Sequence, residues 1–143
     1  MKHLYEYDQT LLWTPDRLIG VDEAGRGALA GPVVVAAVAL NYAVPIEGIN
    51  DSKKLSPISR ERLFKAITDS ALVWFITEVD AAWIDAHDIL QATLKGMREA
   101  VAAIASPADL CLVDGNQMPP GLPCPARCLV RGDSLSACVA AAS

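Results

Sequence analysis

The sequence predicts a mixed α/β domain, and three observations carry that expectation. Apolar, β-branched runs alternate with segments of helical periodicity after an opening pair of strands. Apolar residues fill 52% of the 143 positions, which suits a sheet covered on both faces. Strand-like runs end in carboxylates followed closely by glycine, first at Asp22-Glu23 and again at Asp114-Gly115. A chain of this length makes one domain with a real core. No apolar stretch is long enough to cross a bilayer, and an N-terminal region containing Glu6, Asp8 and Asp16 lacks a signal-peptide pattern. A soluble, cytoplasmic protein without membrane association is expected.

The first two strands are predicted over residues 18–22 and 33–40, close enough to pair as an antiparallel hairpin around a glycine-rich turn. Ser56-Pro57 then supplies an N-cap and a first-turn proline, and Ile58, Leu63, Phe64 and Ile67 recur at helical spacing behind it. Residues 71–79 hold Leu72, Val73, Trp74, Phe75, Ile76 and Thr77, a β-branched and aromatic run that reads as a third strand. A helical stretch follows over about residues 81–105, with an apolar stripe of Ile89, Leu90, Leu94, Met97, Val101 and Ile104 and a break near His87-Asp88. Short strands are predicted at 110–114 and 126–130, and residues 134–143 read as the start of a buried helix with no C-terminal stop signal. The natural domain is therefore expected to continue.

Four cysteines, Cys111, Cys124, Cys128 and Cys138, are expected as reduced thiols, because nothing signals an oxidising compartment. Cys124 and Cys128 have a spacing used at some zinc sites, but no second close pair accompanies them and His3 and His87 lie far away in sequence. The formal net charge of −5 is awkward for a protein that grips phosphates. Locally the balance reverses: Lys53, Lys54, Arg60, Arg62 and Lys65 outweigh Asp51 and Glu61, a segment that reads either as a phosphate-facing edge or as a solvated helix face.

Asp22 and Asp114 each follow an apolar strand, so both stand at strand ends, and Asp133, beside Gly132 and Ser134, follows another. If these carboxylates converge, like-charge repulsion raises at least one pKa and a divalent cation relieves it. All-oxygen ligation selects Mg²⁺ or Mn²⁺, ions that orient and activate water in phosphoryl chemistry. Side chains alternate along a strand, so Asp22 and Glu23 share one ion only if the strand bends after Asp22, a bend that Ala24-Gly25 would allow. The residues alone leave a metal cluster open beside separate caps and turn acids. Gly25, Gly27 and Gly31 superficially fit a dinucleotide-binding turn, but Pro32 and a Val-rich strand follow where the phosphate-binding helix should begin.

Asp22-Glu23-Ala24-Gly25-Arg26-Gly27, Asn50-Asp51-Ser52-Lys53-Lys54-Leu55-Ser56, Val113-Asp114-Gly115-Asn116 and Gly132-Asp133-Ser134 stand in this order, and with them the chain closely resembles bacterial ribonuclease HII from about Leu18 to its last residue. The resemblance implies a ribonuclease H-like fold, a mixed five-stranded sheet in order 3-2-1-4-5 flanked by helices, as one catalytic domain over residues 1–143 that is incomplete at its C-terminus. It implies a monomeric endonuclease that cuts the RNA strand of RNA–DNA hybrids and incises DNA duplex at embedded ribonucleotides, leaving 5′-phosphate and 3′-hydroxyl ends. The metal-binding acids implied are Asp22, Glu23, Asp114 and Asp133, holding Mn²⁺ or Mg²⁺. Gly25, Arg26 and Gly27 resemble the family's ribonucleotide-sensing loop, and Ser52, Lys53 and Lys54 its loop beside the active site; Asn116 and Ser134 complete the implied substrate contacts. Family members continue through a basic segment bearing a tyrosine that stacks near the RNA–DNA junction, and none of Tyr5, Tyr7 or Tyr42 fits that motif. The chain thus resembles a truncated member, with a noncatalytic hybrid-binding remnant as the alternative.

Overall fold

The computed structural model describes residues 2–13, 15–24, 31–49 and 55–143. In chain order the elements are α1 (Lys2–Leu11), β1 (Leu18–Ala24), β2 (Val33–Ala39), α2 (Pro57–Ser70), β3 (Val73–Val79), α3 (Ala81–His87), α4 (Ile89–Ile104), β4 (Leu110–Asp114), β5 (Ala126–Leu129), a 3₁₀ turn (Gly132–Ser134) and α5 (Ala137–Ala142). The five strands form one sheet in order β3-β2-β1-β4-β5. β1 pairs antiparallel with β2 and β2 with β3, whereas β1–β4 and β4–β5 are parallel. Among the described residues no helix is long and apolar enough to cross a membrane.

Strand alternation divides the core into two layers. Ile19, Val21, Val33, Val35, Ala37, Cys111 and Val113 pack with Met97, Ala100 and Val101 of α4. Leu18, Val38, Leu110 and Leu112 pack on the other face with Leu4 of α1 and with Ala137, Cys138, Val139 and Ala140 of α5. The parallel register of β1 and β4 is pinned at its start by an ion pair. Arg17 Nη2 donates to Asp109 Oδ2 at 2.8 Å and Arg17 Nε to Asp109 Oδ1 at 3.2 Å, immediately before the register pair Leu18↔Leu110. Arg17 Nη2 also donates to the Ile104 carbonyl at 2.8 Å, tying the end of α4 to the same point.

Burial pushes the Asp109 carboxyl up, but hydrogen bonds from Arg17 and the Ser106 amide outweigh it and hold the group below its ordinary value of 3.8. A carboxylate depressed in the fold stabilises it above the unfolded-state pKa, and that contribution is lost as pH falls through the folded value. Asp109→Asn is expected to cost about 1–3 kcal/mol at pH 7 and to lose less stability than wild type between pH 4 and 3. Urea unfolding across that range measures both.

The helix caps follow the sequence. Ser56 Oγ accepts the Ser59 amide at 3.1 Å at the start of α2, with Pro57 in the first turn. Asp80 and Asp88 cap α3 and α4 in the same way. The expected break falls at Asp88, which takes φ +89° between the two helices.

Three features differ from expectation. α1 lies where no element was predicted: its inward residues are Leu4 and the acid Asp8, so the apolar stripe is interrupted by a buried carboxylate. Of the expected α4 stripe, Met97 and Val101 are buried and Ile89 and Ile104 pack against the same core, but Leu90 and Leu94 are only partly buried and Ala92, Thr93, Gly96 and Ala100 fill the rest of the buried face. Small side chains let the helix lie close to the sheet; a Cβ on Gly96 would stand 2.7 Å from Val35 Cγ2. In α2 only Leu63 is buried, while Ile58 is 80% and Phe64 55% exposed; Leu63, Phe64 and Ile67 line an apolar groove of about 440 Å³ shared with β2 and β3.

A candidate metal centre at the strand ends

β1 does not stop at Asp22. Asp22, Glu23 and Ala24 remain paired with Ala36, Val35 and Val34 of β2, so no bend follows Asp22 within the described part of the strand. On the other side, the parallel register with β4 runs to Val21↔Val113, placing Asp22 and Asp114 one position further along neighbouring strands. Both share the parity of Leu18, Leu110 and Leu112, hence the face that α5 covers. Open sheets commonly place ligands outside the carboxyl ends of parallel strands; Asp114 ends β4, and Asp22 stands just past the last β1–β4 pair.

β5 delivers the third acid. After Leu129 the chain turns through Arg131 in the left-handed region, φ +56°, into the 3₁₀ turn that carries Asp133. The Asp133 amide donates to Asp114 Oδ1 at 3.3 Å. Gly132 fits this approach closely: a Cβ there would lie 3.0 Å from Leu129 Cβ, 3.2 Å from Val139 Cγ1 and 3.4 Å from Asp114 Oδ1, so its neighbours would have to give by a few tenths of an ångström. Asp22, Asp114 and Asp133 each present a carboxylate oxygen, and these oxygens lie within 4.8 Å of one another. Among the described residues they are the one such group of three or more metal-ligating side chains.

The electrostatics of the cluster match its geometry. Asp22 is 5% exposed, and burial first, then the charge of Asp114, push its carboxyl up to about 9. The Glu23 amide, donating to Asp22 Oδ1 at 2.8 Å, works against this rise; the charges of Glu23 and Asp133 add to it. Three converging carboxylates, one of them buried, with oxygen as the only donor atom, fit a hard divalent cation of the Mg²⁺ or Mn²⁺ kind. Asp22, Asp114 and Asp133 would hold it.

The other expected site residues divide into three sets. Glu23 is half-buried and stands outside the converging group, since alternation assigns the position after Asp22 to the α4 face of β1. Asn116 is exposed just beyond β4, and the Ser134 hydroxyl turns back to donate to the Arg131 carbonyl at 2.8 Å. Gly25, Arg26, Gly27, Ser52, Lys53 and Lys54 lie outside the described residues. All four cysteines are free thiols, and the three-acid group contains none of them. A strand, β2, follows the glycine-rich segment where a dinucleotide-binding turn needs a helix.

Gly20 escaped the sequence reading. The place its Cβ would take lies 2.1 Å from the Cys138 carbonyl oxygen, so the backbone of α5 rests directly on β1 two residues before Asp22. A glycine inside a strand signals such an approach.

The family model for ribonuclease HII matches residues 19–143. Ribonuclease HII of Xanthomonas campestris pv. campestris (strain 8004) is 53% identical over 133 residues, covering 91% of this chain and 55% of that protein. The chain spans about half the length of the curated relatives it matches. Among solved structures, ribonuclease H2 from Pyrococcus horikoshii OT3 is similar with a TM-score of 0.70 at 25% identity, over 88% of this chain and 68% of that one. Bst-RNase HIII in complex with Mn²⁺ shares the fold with a TM-score of 0.70 at 22% identity, over 95% of this chain and 51% of that one. The mixed sheet and its flanking helices are thus a ribonuclease H-like fold.

Proposed function

The chain belongs to the ribonuclease HII family, and from that premise we propose that it is a cytoplasmic, divalent-metal-dependent endonuclease. Its substrates are the RNA strand of RNA–DNA hybrids and DNA duplex containing ribonucleotides, cut to leave 5′-phosphate and 3′-hydroxyl ends. The observation that carries this reading is the convergence of Asp22, Asp114 and Asp133 from β1, β4 and the turn after β5.

In this reading Asp22, Asp114 and Asp133 would hold Mg²⁺ or Mn²⁺. The bound ion supplies activation of water and neutralises charge on the leaving oxygen. Everything else is the work of the chain. Burial and the charge of Asp114 favour a neutral Asp22 carboxyl in the empty centre, and a bound cation would favour its ionised form and offset the negative charge gathered there. Glu23, next along β1, adds negative charge at the same sheet edge and serves a second ion or an outer contact. Gly25, Arg26 and Gly27 bring main-chain groups to the ribonucleotide 2′-hydroxyl, the group that separates RNA from DNA. Ser52, Lys53 and Lys54 contact backbone phosphates and fix register without reading sequence, with Asn116 and Ser134 at the rim.

The test is incubation of the chain, as a monomer, with Mn²⁺ or Mg²⁺ and a DNA duplex bearing one ribonucleotide. Cleavage that stops on chelation, with a 5′-phosphate on the product, is the expected result. No cleavage of this duplex or of an RNA–DNA hybrid at saturating metal would contradict it, and binding without cleavage would assign the chain as a hybrid-binding module.

A further inference from the structure

We infer that Asp8, on α1 and outside the segment matched by the family model, is a positioning residue for the metal centre: its buried carboxylate holds the turn carrying Asp133 and the start of α5 in one arrangement. The inference rests on the metal-centre reading of Asp22, Asp114 and Asp133.

Asp8 is completely buried. Its Oδ1 accepts a short hydrogen bond from the Ser136 hydroxyl, and its Oδ2 accepts from the Tyr42 hydroxyl and, at 2.9 Å, from the Cys138 amide. All of these partners are neutral donors, and burial raises the carboxyl pKa against their pull. A buried carboxylate satisfied by neutral groups is costly to keep compared with an apolar side chain. Its value lies in what the donors belong to.

Ser136 stands at the N-cap of α5, yet its side chain makes no cap bond within its own helix. The hydroxyl goes to Asp8 instead, and Asp8 accepts the Cys138 amide that the helix start leaves open. Capping is therefore supplied from α1, 128 residues away in sequence from Ser136. The Ser136 and Leu135 amides both donate to the Gly132 carbonyl, at 2.8 and 3.0 Å, and closing that loop orients the peptide leading into Asp133. The path from Asp8 to the cluster thus runs through Ser136 and Gly132 to Asp133, and then by the Asp133 amide to Asp114. Tyr42 is different: its hydroxyl binds Asp8 from the loop after β2 and meets α5 at the Cys138 side chain, whereas Ser136 joins Asp8 through its hydroxyl and the Gly132 carbonyl through its own amide.

That difference supplies the test. Mn²⁺ affinity is measured by titration calorimetry on the whole chain for wild type, Ser136→Ala, Tyr42→Phe and Asp8→Asn, at a temperature where each is folded. Hydrogen exchange of the amides of residues 134–138 is followed in the metal-free protein. Ser136→Ala and Asp8→Asn are expected to weaken Mn²⁺ binding about tenfold, in the range of outer-shell partners of metal ligands, and to lose protection at 134–138. Tyr42→Phe removes one hydrogen bond from the same carboxylate and is expected to leave Mn²⁺ affinity within about twofold of wild type. Equal affinities for wild type, Ser136→Ala and Tyr42→Phe would overturn the positioning role, as would equal losses in both variants. Should Asp8→Asn fail to fold, the Ser136 and Tyr42 contrast still decides. A wild-type chain that binds no Mn²⁺ would overturn the metal-centre reading, and with it this inference.

Discussion

Asp22→Asn is expected to weaken Mn²⁺ binding by more than about a hundredfold, beyond the 10–100-fold attached to outer-shell partners, while making the metal-free protein more stable. The two effects share one cause. Burial and the neighbouring charge of Asp114 raise the Asp22 carboxyl from 3.8 to about 9, so the fold resists its ionisation. Below pH 3.8 the group is neutral folded or unfolded and carries no penalty. As pH rises from there towards 9, the unfolded chain ionises Asp22 freely and the folded one does not, so stability falls across that window. An asparagine keeps an oxygen for the Glu23 amide and never ionises. The variant should therefore gain roughly 0.5–2 kcal/mol at pH 7 in chelator, with the gain vanishing near pH 4. Wild type reverses the order once Mn²⁺ is added, because a ligand that binds only the folded state stabilises it by mass action. Thermal unfolding with and without Mn²⁺ at pH 5, 7 and 8.5 reads both signs. A variant whose melting temperature rises with Mn²⁺ as far as wild type's does would show that Asp22 is no ligand.

Gly20→Ala is expected to cost more than about 4 kcal/mol, enough to unfold the chain or expel α5 from the sheet. The new Cβ would meet the Cys138 carbonyl oxygen at 2.1 Å, its carbon at 2.2 Å and the Val139 nitrogen at 2.5 Å. All are backbone atoms of a buried helix, so no rotamer change relieves the overlap. Gly96→Ala provides the comparison. Its Cβ would strike side-chain atoms of Val35 at 2.7 Å, which the core accommodates at about 1–3 kcal/mol. Because α5 follows directly on the turn bearing Asp133, any Gly20→Ala protein that still folds should also have lost Mn²⁺ binding. Guanidinium unfolding of the two variants ranks them, and near-wild-type stability of Gly20→Ala would show that α5 does not rest on β1.

Much of this architecture was legible because local chemistry and tertiary role agree. Ser56-Pro57 caps and opens α2, Asp88 breaks the long helical stretch and caps its second half, and the apolar runs become strands, covered on both faces in β1, β2 and β4 but with Trp74, Phe75 and Ile76 exposed on the edge strand β3. The acids were legible for the same reason: a carboxylate at the end of an apolar strand has few affordable environments. What escaped was chemistry in which a polar or small residue performs an apolar job. Asp8 sits in the stripe of α1 and is intelligible only beside Ser136 and Cys138, far along the chain. The buried face of α4 includes the small residues Ala92, Gly96 and Ala100, and Gly96 in particular leaves room for Val35. Ile58 and Phe64 follow helical spacing yet remain exposed, since periodicity states which residues share a face and not what covers it. Glu23 is what the motif leaves open: alternation along β1 sets it outside the three-acid group, while its charge still bears on Asp22.

The most direct measurement is the anomalous scattering of Mn²⁺ soaked into crystals of the chain. A Mn²⁺ peak within about 2–2.5 Å of a carboxylate oxygen from each of Asp22, Asp114 and Asp133 is the predicted result. Full occupancy at another position, or a saturated crystal with these three carboxylates turned away from one another and no peak between them, would contradict it.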